Sequence, residues 1–259
     1  MIRKFVNYLM QTLAQTIWFE TTLGQQLLAR EQAMFDHAVS DVFGFYAVQV
    51  GTLPINCLEQ SRIPNIILTG MASGNVQCES CYLPFAESSI DLLCMPHVLE
   101  FSHDPHQTLR EAARVLVPEG YLILTVFNPL SFWGLKKLLI KKSQYPWEGQ
   151  FFSLSRIKDW LALLGLEFVE TQFLSHEPPI NNEKWLKRMS IIERLGRRWW
   201  PMMGGQYVIV AKKRVVNITL LKPKWKRSLL QSGLGLGGHN NMNQNKSQQQ
   251  RGMKEKNNE

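Results

Sequence analysis

Residues 76–129 decide the fold of this protein, and they read VQCESCYLPFAESSIDLLCMPHVLEFSHDPHQTLREAARVLVPEGYLILTVFNP. The apolar runs at residues 90–95 and 121–127 have the length and composition of buried strands. Between them, residues 104–117 predict a helix, which the Asp-Pro pair at its start would cap. The stretch therefore predicts a strand–helix–strand unit, which is the building block of a parallel sheet.

The same alternation of strands and helices continues on both sides of this stretch. Apolar runs bounded by turn residues predict further strands, and Gly165 ends a helix predicted from residue 155. These further strands are predicted at residues 45–51, 65–70, 166–174 and 204–214. Strands that alternate with helices and are apolar almost throughout are typical of a sheet covered on both faces. The sequence therefore predicts an α/β fold with a mostly parallel sheet between layers of helices.

The N-terminal segment predicts a helical cap on this domain. Apolar residues recur at three- and four-residue steps from Ile2 to Ile17, and a second helical stretch runs from Leu23 to Met34. We interpret residues 1–39 as helices that pack on the sheet. Docking of these helices on a membrane surface is a less favoured alternative, because their polar face carries few basic residues near the start.

The positive charge of the chain is concentrated at its C-terminal end. Of the 29 Lys and Arg residues and the 21 Asp and Glu residues, residues 212–259 hold 11 and 2, so the rest of the chain is close to neutral. Residues 215–259 are rich in Asn, Gln, Gly and Lys and cannot bury enough apolar surface to offset the entropy of ordering. We therefore expect one domain at residues 40–214, followed by a disordered basic tail.

Cysteine usage and hydropathy predict a cytoplasmic protein. The four cysteines are not accompanied by a secretory signal, which indicates a reducing compartment. No apolar run is long enough for a transmembrane helix. Cys78 and Cys81 have the spacing of a redox or metal pair, but no second close pair completes a zinc site. We therefore expect no metal.

A series of short motifs punctuates residues 76–129. They are Glu79, Leu83-Pro84-Phe85, Asp91, Arg110-Glu111, Arg114-Val115-Leu116, Pro118-Glu119-Gly120 and the strand at residues 121–127. Together they resemble the class I S-adenosylmethionine-dependent methyltransferases of the type 11 group, without a gap over about 50 residues. A looser resemblance, to a proteobacterial subgroup, extends over residues 40–214. The resemblance implies a Rossmann-like, seven-stranded sheet with an antiparallel last strand, and S-adenosyl-L-methionine as the cofactor.

The resemblance also assigns the loop after the first strand to the cofactor. In the family this strand ends on an acid, and three glycines follow at alternate positions. Here Gln49 stands at the position of the acid and Gly51 at that of the first glycine, while Leu53 and Ile55 replace the other two. Gly51 would let the backbone pass close under the methionine part of the cofactor, because it has no Cβ.

The remaining cofactor contacts implied by the resemblance come from the next strands. Glu79 lies where the acid of the family accepts a hydrogen bond from the adenine amino group, with Ser80 beside it. Met95, at the end of the fourth strand, is also predicted to contact the cofactor. The acid that binds the ribose hydroxyls is missing, since the second strand ends as Leu-Thr-Gly at residues 68–70. The sequence therefore supports the adenine half of the site better than the ribose half.

Three residues are candidates for contact with the methyl acceptor. His97 follows the fourth strand, next to the expected methyl site, and is the best candidate for a general base. The alternative is that His97 stabilises a loop or a helix start. Asn128 and Trp133 follow the fifth strand and are predicted to line the acceptor pocket, although ordinary packing would explain their positions equally well.

Three functions are compatible with these features. The leading hypothesis is methyl transfer from S-adenosylmethionine to a small-molecule acceptor. The second is a non-catalytic binding protein with the same fold, suggested by the missing glycines and ribose acid. The third is an RNA-associated protein, which would use the basic tail and the Arg and Trp residues at positions 194–200. Against the third, nucleic-acid binding usually needs a basic folded surface, and residues 1–211 are close to neutral.

Overall fold

The computed structural model of the protein describes residues 10, 13–51, 54–70, 74–139, 145–180 and 198–214. All of them belong to the first of the two units into which the chain divides, Met1–Asn217. The predicted basic tail lies outside the described residues, as does most of the first predicted N-terminal helix. The boundaries of the predicted cap and domain therefore stay predictions.

Strands and helices alternate along the described part of the chain, as the sequence predicts. The helices are α1 (Thr22–Ser40), α2 (Val98–Phe101), α3 (Pro105–Val115), α4 (Phe132–Leu139) and α5 (Leu154–Leu163), with a 3-10 turn at Pro201–Met203. The strands are β1 (Tyr46–Val50), β2 (Asn65–Gly70), β3 (Val76–Gln77), β4 (Ile90–Pro96), β5 (Leu116–Phe127), β6 (Leu166–Leu174) and β7 (Gln206–Lys213). The two-residue strand β3 is too short for an apolar pattern, and the sequence pattern did not reveal it.

The seven strands form one sheet in the order β3-β2-β1-β4-β5-β7-β6. The pairs on the β3 side of β5 are all parallel. Strand β7 lies antiparallel to both β5 and β6. The predicted Rossmann-like sheet with an antiparallel last strand is therefore confirmed.

Helices cover both faces of the sheet, and each face has its own apolar core. On one face, α3 and α5 bury Leu109 and Leu161 against the sheet. On the other face, α1 buries Phe35 and Val39 together with Trp133 of α4. The burial of apolar side chains on both faces explains why the central strands read as continuous apolar runs.

Helix α3 begins as predicted but ends earlier. The Asp104 carboxylate accepts a hydrogen bond from the Gln107 N–H at 2.9 Å, and a proline occupies the first turn. The helix ends at Val115 rather than at residue 117, and β5 begins at once with Leu116. The predicted turn at residues 118–120 lies inside this strand, where the pairing register with β4 shifts. The Pro-Glu-Gly sequence predicted a turn between two elements, whereas in the structure it forms an irregularity within β5.

The connection from β1 to β2 contains turns but no helix among its described residues, 51 and 54–64. In a Rossmann-type unit, a helix follows the first strand and directs its N-terminus towards the ligand. Here only 14 residues separate Val50 from Asn65. The connection between β1 and β2 is therefore built differently from the helical connection between β4 and β5.

Candidate functional site

The candidate site lies at the edge where β3, β2, β1 and β4 end. These four strands are neighbours and run parallel, so their carboxyl ends meet at one edge of the sheet. Ligands of open α/β sheets bind outside this edge, near the point where the strand order reverses. In this sheet the order reverses between β1 and β4. The predicted residues Gly51, Glu79 and His97 all follow strands that end here.

Gly51 makes the turn after β1, and its conformation requires glycine. Its φ is +111°, a region that other residues rarely adopt. A Cβ at this position would lie 3.2 Å from Cγ2 of Val98, at the start of α2. The Gly51 N–H donates to the carbonyl of Thr69 at 2.9 Å, which ties the turn to the end of β2. The chain therefore passes close to α2 at this point. The predicted contact between Gly51 and the cofactor stays a prediction.

Gln49 is buried and uses its side-chain amide to hold the loop that follows. Its Nε2 donates to the carbonyl of Ile55 at 2.7 Å, and its Oε1 accepts from the N–H of Cys57 at 2.8 Å. A carboxylate could not make the first of these bonds, because it has no proton to donate. The amide at this position therefore suits the short connection. The predicted contact between Gln49 and the cofactor stays a prediction.

The end of β2 presents a hydroxyl where the family has its ribose-binding acid. Thr69 is buried, and its Oγ1 donates to the carbonyl of Gln49 at 3.2 Å. The strand ends one residue later, at Gly70. No carboxylate lies on this strand to accept hydrogen bonds from ribose hydroxyls.

Glu79 and Ser80 follow β3 and are half-buried. Among the described residues, the Glu79 carboxylate has no hydrogen-bond or ion-pair partner. The Ser80 hydroxyl lies 3.5 Å from that of Thr108, on α3. A turn holds the backbone here, since the N–H of Tyr82 donates to the carbonyl of Glu79 at 3.0 Å. Glu79 thus offers a carboxylate for a ligand at this edge.

Arg114 and Glu111 of α3 clamp the loop that carries Glu79. The Arg114 guanidinium donates to both carboxylate oxygens of Glu111, at 2.9 and 2.8 Å. It also donates to the carbonyls of Phe85 and Leu83, at 2.9 and 3.0 Å, while Glu111 accepts from the Leu83 N–H at 3.1 Å. The hydrogen bonds from Arg114 lower the pKa of Glu111, although burial opposes this. The motif residues of α3 therefore act by fixing the loop between β3 and β4.

His97 lies at the end of β4 between two buried carboxylates. Its Nδ1 is 2.7 Å from Oε1 of Glu100, and its Nε2 is 2.8 Å from Oε1 of Glu31 on α1. The three side chains are fully buried. The ring stacks on Phe127 at a centroid distance of 4.1 Å, and the Phe127 N–H donates to Glu100 Oε1 at 2.8 Å. This Glu31–His97–Glu100 cluster connects α1 to the ends of β4 and β5.

The charge state of His97 follows from these contacts. Burial by itself lowers the pKa of His97, but the carboxylates of Glu31 and Glu100 outweigh it and raise the pKa to about 10. The ring is therefore protonated at neutral pH and donates from both nitrogens. A general base needs a nitrogen that is free to accept a proton. The geometry does not support this role for His97, which stays a prediction, and favours the alternative of a stabilised helix start.

Glu31 is the member of the cluster that the sequence analysis missed. The signal was its position on α1, where the buried stripe repeats every fourth residue. The stripe consists of Leu23, Leu27, Glu31, Phe35 and Val39. A charged residue in the middle of an apolar stripe requires a buried partner. The sequence alone could not identify that partner, which lies 66 positions away.

The other predicted site residues are buried. Met95 belongs to the apolar core under α3 and α5. The amide of Asn128 donates to the carbonyls of Met202 and Gly204, both at 2.9 Å. Trp133 stacks on Phe127 at 5.7 Å. These contacts indicate packing roles for Asn128 and Trp133. Because both side chains are buried, the structure does not support their predicted contact with an acceptor, which stays a prediction.

A cleft of about 460 Å³ opens beside α2. It is lined by Met10, Ala14, Glu100, Phe101, Ser102, Glu148, Gly149 and Gln150. Its walls come from residues after β4 and from the segment that precedes α5, so it lies next to the carboxyl end of β4. The carboxylate of Glu148 is exposed there. The Glu100 carboxylate instead turns inward to His97.

Comparison with known proteins places the chain in a family. Residues 60–124 match a family model described as a methyltransferase domain. The chain is 35% identical over 184 residues to the uncharacterized protein YafS of Escherichia coli K12, which covers 69% of this chain and 72% of YafS.

Two solved structures show the same fold. A chain from the complex between the Trm112 methyltransferase activator of Haloferax volcanii and a proposed methyltransferase aligns with a TM-score of 0.54 and 16% identity, covering 74% of this chain and 93% of that one. Geranyl diphosphate C-methyltransferase of Streptomyces coelicolor, solved with S-adenosyl-L-homocysteine, aligns with a TM-score of 0.51 and 18% identity, covering 73% and 82%. The fold, the matched domain and the relationship to YafS show that the chain belongs to the type 11 group of class I S-adenosylmethionine-dependent methyltransferases.

Proposed function

We propose that this protein transfers the methyl group of S-adenosylmethionine to an acceptor that binds at the carboxyl edge of the sheet. The observation that carries the proposal is the Glu79 carboxylate, which is half-buried and has no partner among the described residues. The Arg114–Glu111 clamp holds the loop that bears it. A fixed carboxylate without a partner suits an adenine amino group, which donates hydrogen bonds.

The residues present fit one part of the cofactor better than another. Glu79 would accept from the adenine amino group, and Gly51 would leave room for the methionine part beside α2. The ribose hydroxyls lack their usual carboxylate, because Thr69 and Gly70 end β2. The cofactor supplies an electrophilic methyl group on a sulfonium. The chain then has to align the acceptor with this methyl, and positioning of this kind supplies about 7–11 kcal/mol of the barrier in well-oriented reactions.

The cleft beside α2 is the best candidate for the acceptor among the described residues. It follows β4 at the same edge as Gly51, and it offers the polar side chains of Ser102, Glu148 and Gln150. Its volume suits a small molecule or one end of a larger one. A base is needed only where the attacking atom must lose a proton.

Titration calorimetry with S-adenosylmethionine and with S-adenosylhomocysteine tests the proposal. The Glu79→Ala variant should bind both ligands more weakly by about 1–3 kcal/mol, which is the contribution of a hydrogen bond to a charged group. Glu87→Ala is the matched control, because Glu87 is an exposed carboxylate on the same loop. Equal affinities of the two variants would remove Glu79 from the site. No heat with folded wild-type protein at millimolar ligand would contradict the cofactor assignment.

A second candidate function is a non-catalytic binding protein with the methyltransferase fold. The observation that favours it is the hydrogen bonding of Gln49 within its own loop, together with the absence of a helix at residues 54–64. Such a protein would bind neither cofactor form, or would bind them without turnover. Calorimetry combined with a methyl-transfer assay on cell extracts separates the two functions.

A further inference from the structure

Helix α4 has an unusual orientation, because its three leucines face outward, although Trp133 in its first turn is buried. Leu138 is 84% exposed, and Leu135 and Leu139 are also exposed on the same side. The two lysines between them turn towards the protein. In a surface helix of a soluble protein the arrangement is the reverse, with leucines against the core and lysines in water.

The inward lysines are held by specific contacts. Lys136 Nζ donates to the carbonyl of Pro179 at 2.6 Å and lies 4.4 Å from the ring centroid of Trp147. Lys137 Nζ donates to the carbonyl of Trp147 at 2.8 Å and lies 4.6 Å from the ring of Phe151. Burial lowers the pKa of both lysines. This arrangement is unfavourable for a helix whose outer face meets only water.

The exposed apolar surface continues from α4 onto the segment before β7. Asn128 joins the two, since its side chain accepts from the Leu130 N–H at 3.0 Å and donates to the carbonyl of Met202 at 2.9 Å. Trp199 is 69% exposed, and Trp200 beside it is exposed as well. We call the whole surface the outer apolar face. It consists of Leu130, Phe132, Leu135, Leu138, Leu139, Trp199, Trp200 and Met202.

The charged residues in the sequence segments that carry this face are all basic. Residues 128–142 and 194–203 together contain seven Lys and Arg residues and no Asp or Glu. Lys136 and Lys137 turn inward, Arg198 is exposed beside Trp199, and the other four lie outside the described residues. Leucines and tryptophans accompanied by basic residues are the composition of segments that lie in the interface of an anionic membrane. An apolar face for another protein would not require this uniform charge.

We propose that the outer apolar face docks on the surface of an anionic lipid bilayer. Helix α4 has eight residues and would lie in the plane of the interface. None of the described helices is long and apolar enough to cross a membrane. The face follows the carboxyl end of β5, at the sheet edge where the candidate site lies. If the proposed methyl transfer holds, the acceptor would therefore reach the site from the membrane.

Sedimentation of the full-length protein with lipid vesicles tests the proposal. Wild type should bind vesicles of phosphatidylcholine mixed with phosphatidylglycerol, and added salt should weaken this binding. The double variant Leu138→Ser, Leu139→Ser should bind at least about tenfold more weakly, because it removes apolar contact area. Trp199→Ala with Trp200→Ala should have a similar effect.

Leu163→Ser is the matched control. Leu163 is 84% exposed, like Leu138, but it lies near the start of β6, which pairs with the opposite end of β7. This variant should bind vesicles within about twofold of wild type. Circular dichroism should show that all variants fold, because the substituted side chains are exposed. Absence of wild-type binding, equal loss in Leu163→Ser, or a dimer of the protein in which a second copy covers the outer apolar face would each overturn the proposal. Because vesicle binding needs no cofactor, it can fail or succeed separately from the methyl-transfer proposal.

Discussion

The two halves of the candidate site edge are built differently. In the first half, formed by β1, β2 and α1, buried polar groups bind one another: Gln49 bonds its own loop, and Glu31 bonds His97. In the second half, the loop from Glu79 to Phe85, the Arg114–Glu111 clamp fixes a partly exposed segment, and Glu79 has no partner within the part of the chain that the structure describes. The first half thus uses its polar groups for contacts within the protein, whereas in the second half the Glu79 carboxylate is the group that we propose for the ligand.

Helix α1 explains how the first half tolerates its short connection. Leu58 and Ile63 of that connection are buried in the same apolar cluster as Phe35 and Val39 of α1. The N-terminal helix therefore covers the sheet face next to β1 that a crossover helix covers in a Rossmann-type unit. Its Glu31 then has to be buried beside the end of β4, where His97 pairs with it.

The largest effect is expected from His97→Ala. Removal of the ring leaves the carboxylates of Glu31 and Glu100 buried without their shared cation, which typically costs about 3–5 kcal/mol. Urea unfolding of both proteins measures the change in the free energy of unfolding. His103→Ala is the control, because His103 is exposed on the next turn and should change stability by less than about 0.5 kcal/mol. Similar values for the two variants would show that the cluster does not hold the fold.

The pH dependence of stability provides a second readout for the same variant. The folded pKa of His97 is raised from 6.5 to about 10, so protonation stabilises the folded protein fully below pH 6.5. This contribution is lost as the pH rises through the folded pKa. Wild type should therefore lose stability between about pH 6.5 and 8, before thiols of the unfolded chain ionise. His97→Ala should lack this part of the slope, and an unchanged slope would contradict the charged state of His97.

Much of this molecule could be predicted from its sequence, and the exceptions have physical causes. The apolar runs of β1, β4 and the second part of β5 are buried on both faces, so their pattern is unambiguous. Asp104 and Gly165 are local signals that act within a few residues, and both predictions about helix ends hold. Two motif residues of α3, Glu111 and Arg114, form one clamp on a neighbouring loop.

The polar contacts between distant segments could not be predicted. His97 stood next to the expected methyl site, and only the fold shows that Glu31 of α1 occupies its second nitrogen. In the sequence, Gln49 only stands out as the replacement of the family's acid. Its hydrogen bonds to Ile55 and Cys57 could not be predicted, because they depend on a loop conformation that has no sequence signature. In both cases the residue type was visible, but its partner was not.

A medium effect is expected from Gln49→Glu, which restores the acid of the family. The carboxylate could not donate to the carbonyl of Ile55, so this buried carbonyl would lose its partner, at a cost of about 1–3 kcal/mol. Cofactor affinity should not improve, because the side chain remains directed at its own loop. Urea unfolding measures the change in the free energy of unfolding, and calorimetry measures the affinity for the cofactor. A tenfold gain in affinity without loss of stability would mean that the first half retains the binding role of the family.

The smallest effect on stability is expected from Arg114→Lys, and it tests the second half. An ammonium cannot span both oxygens of Glu111 and the carbonyls of Leu83 and Phe85, but this site is partly exposed, so the loss should be about 1 kcal/mol. Because the clamp positions the loop that carries Glu79, S-adenosylmethionine binding should weaken by a factor of about 2–5. Arg110→Lys is the control, since Arg110 is exposed on the same helix and bonds only Gln107 among the described residues. The two halves then differ in kind: Gln49→Glu lowers stability without a change in affinity, and Arg114→Lys lowers affinity with little change in stability. If Arg114→Lys leaves affinity unchanged although the loop has loosened, the adenine does not bind at Glu79.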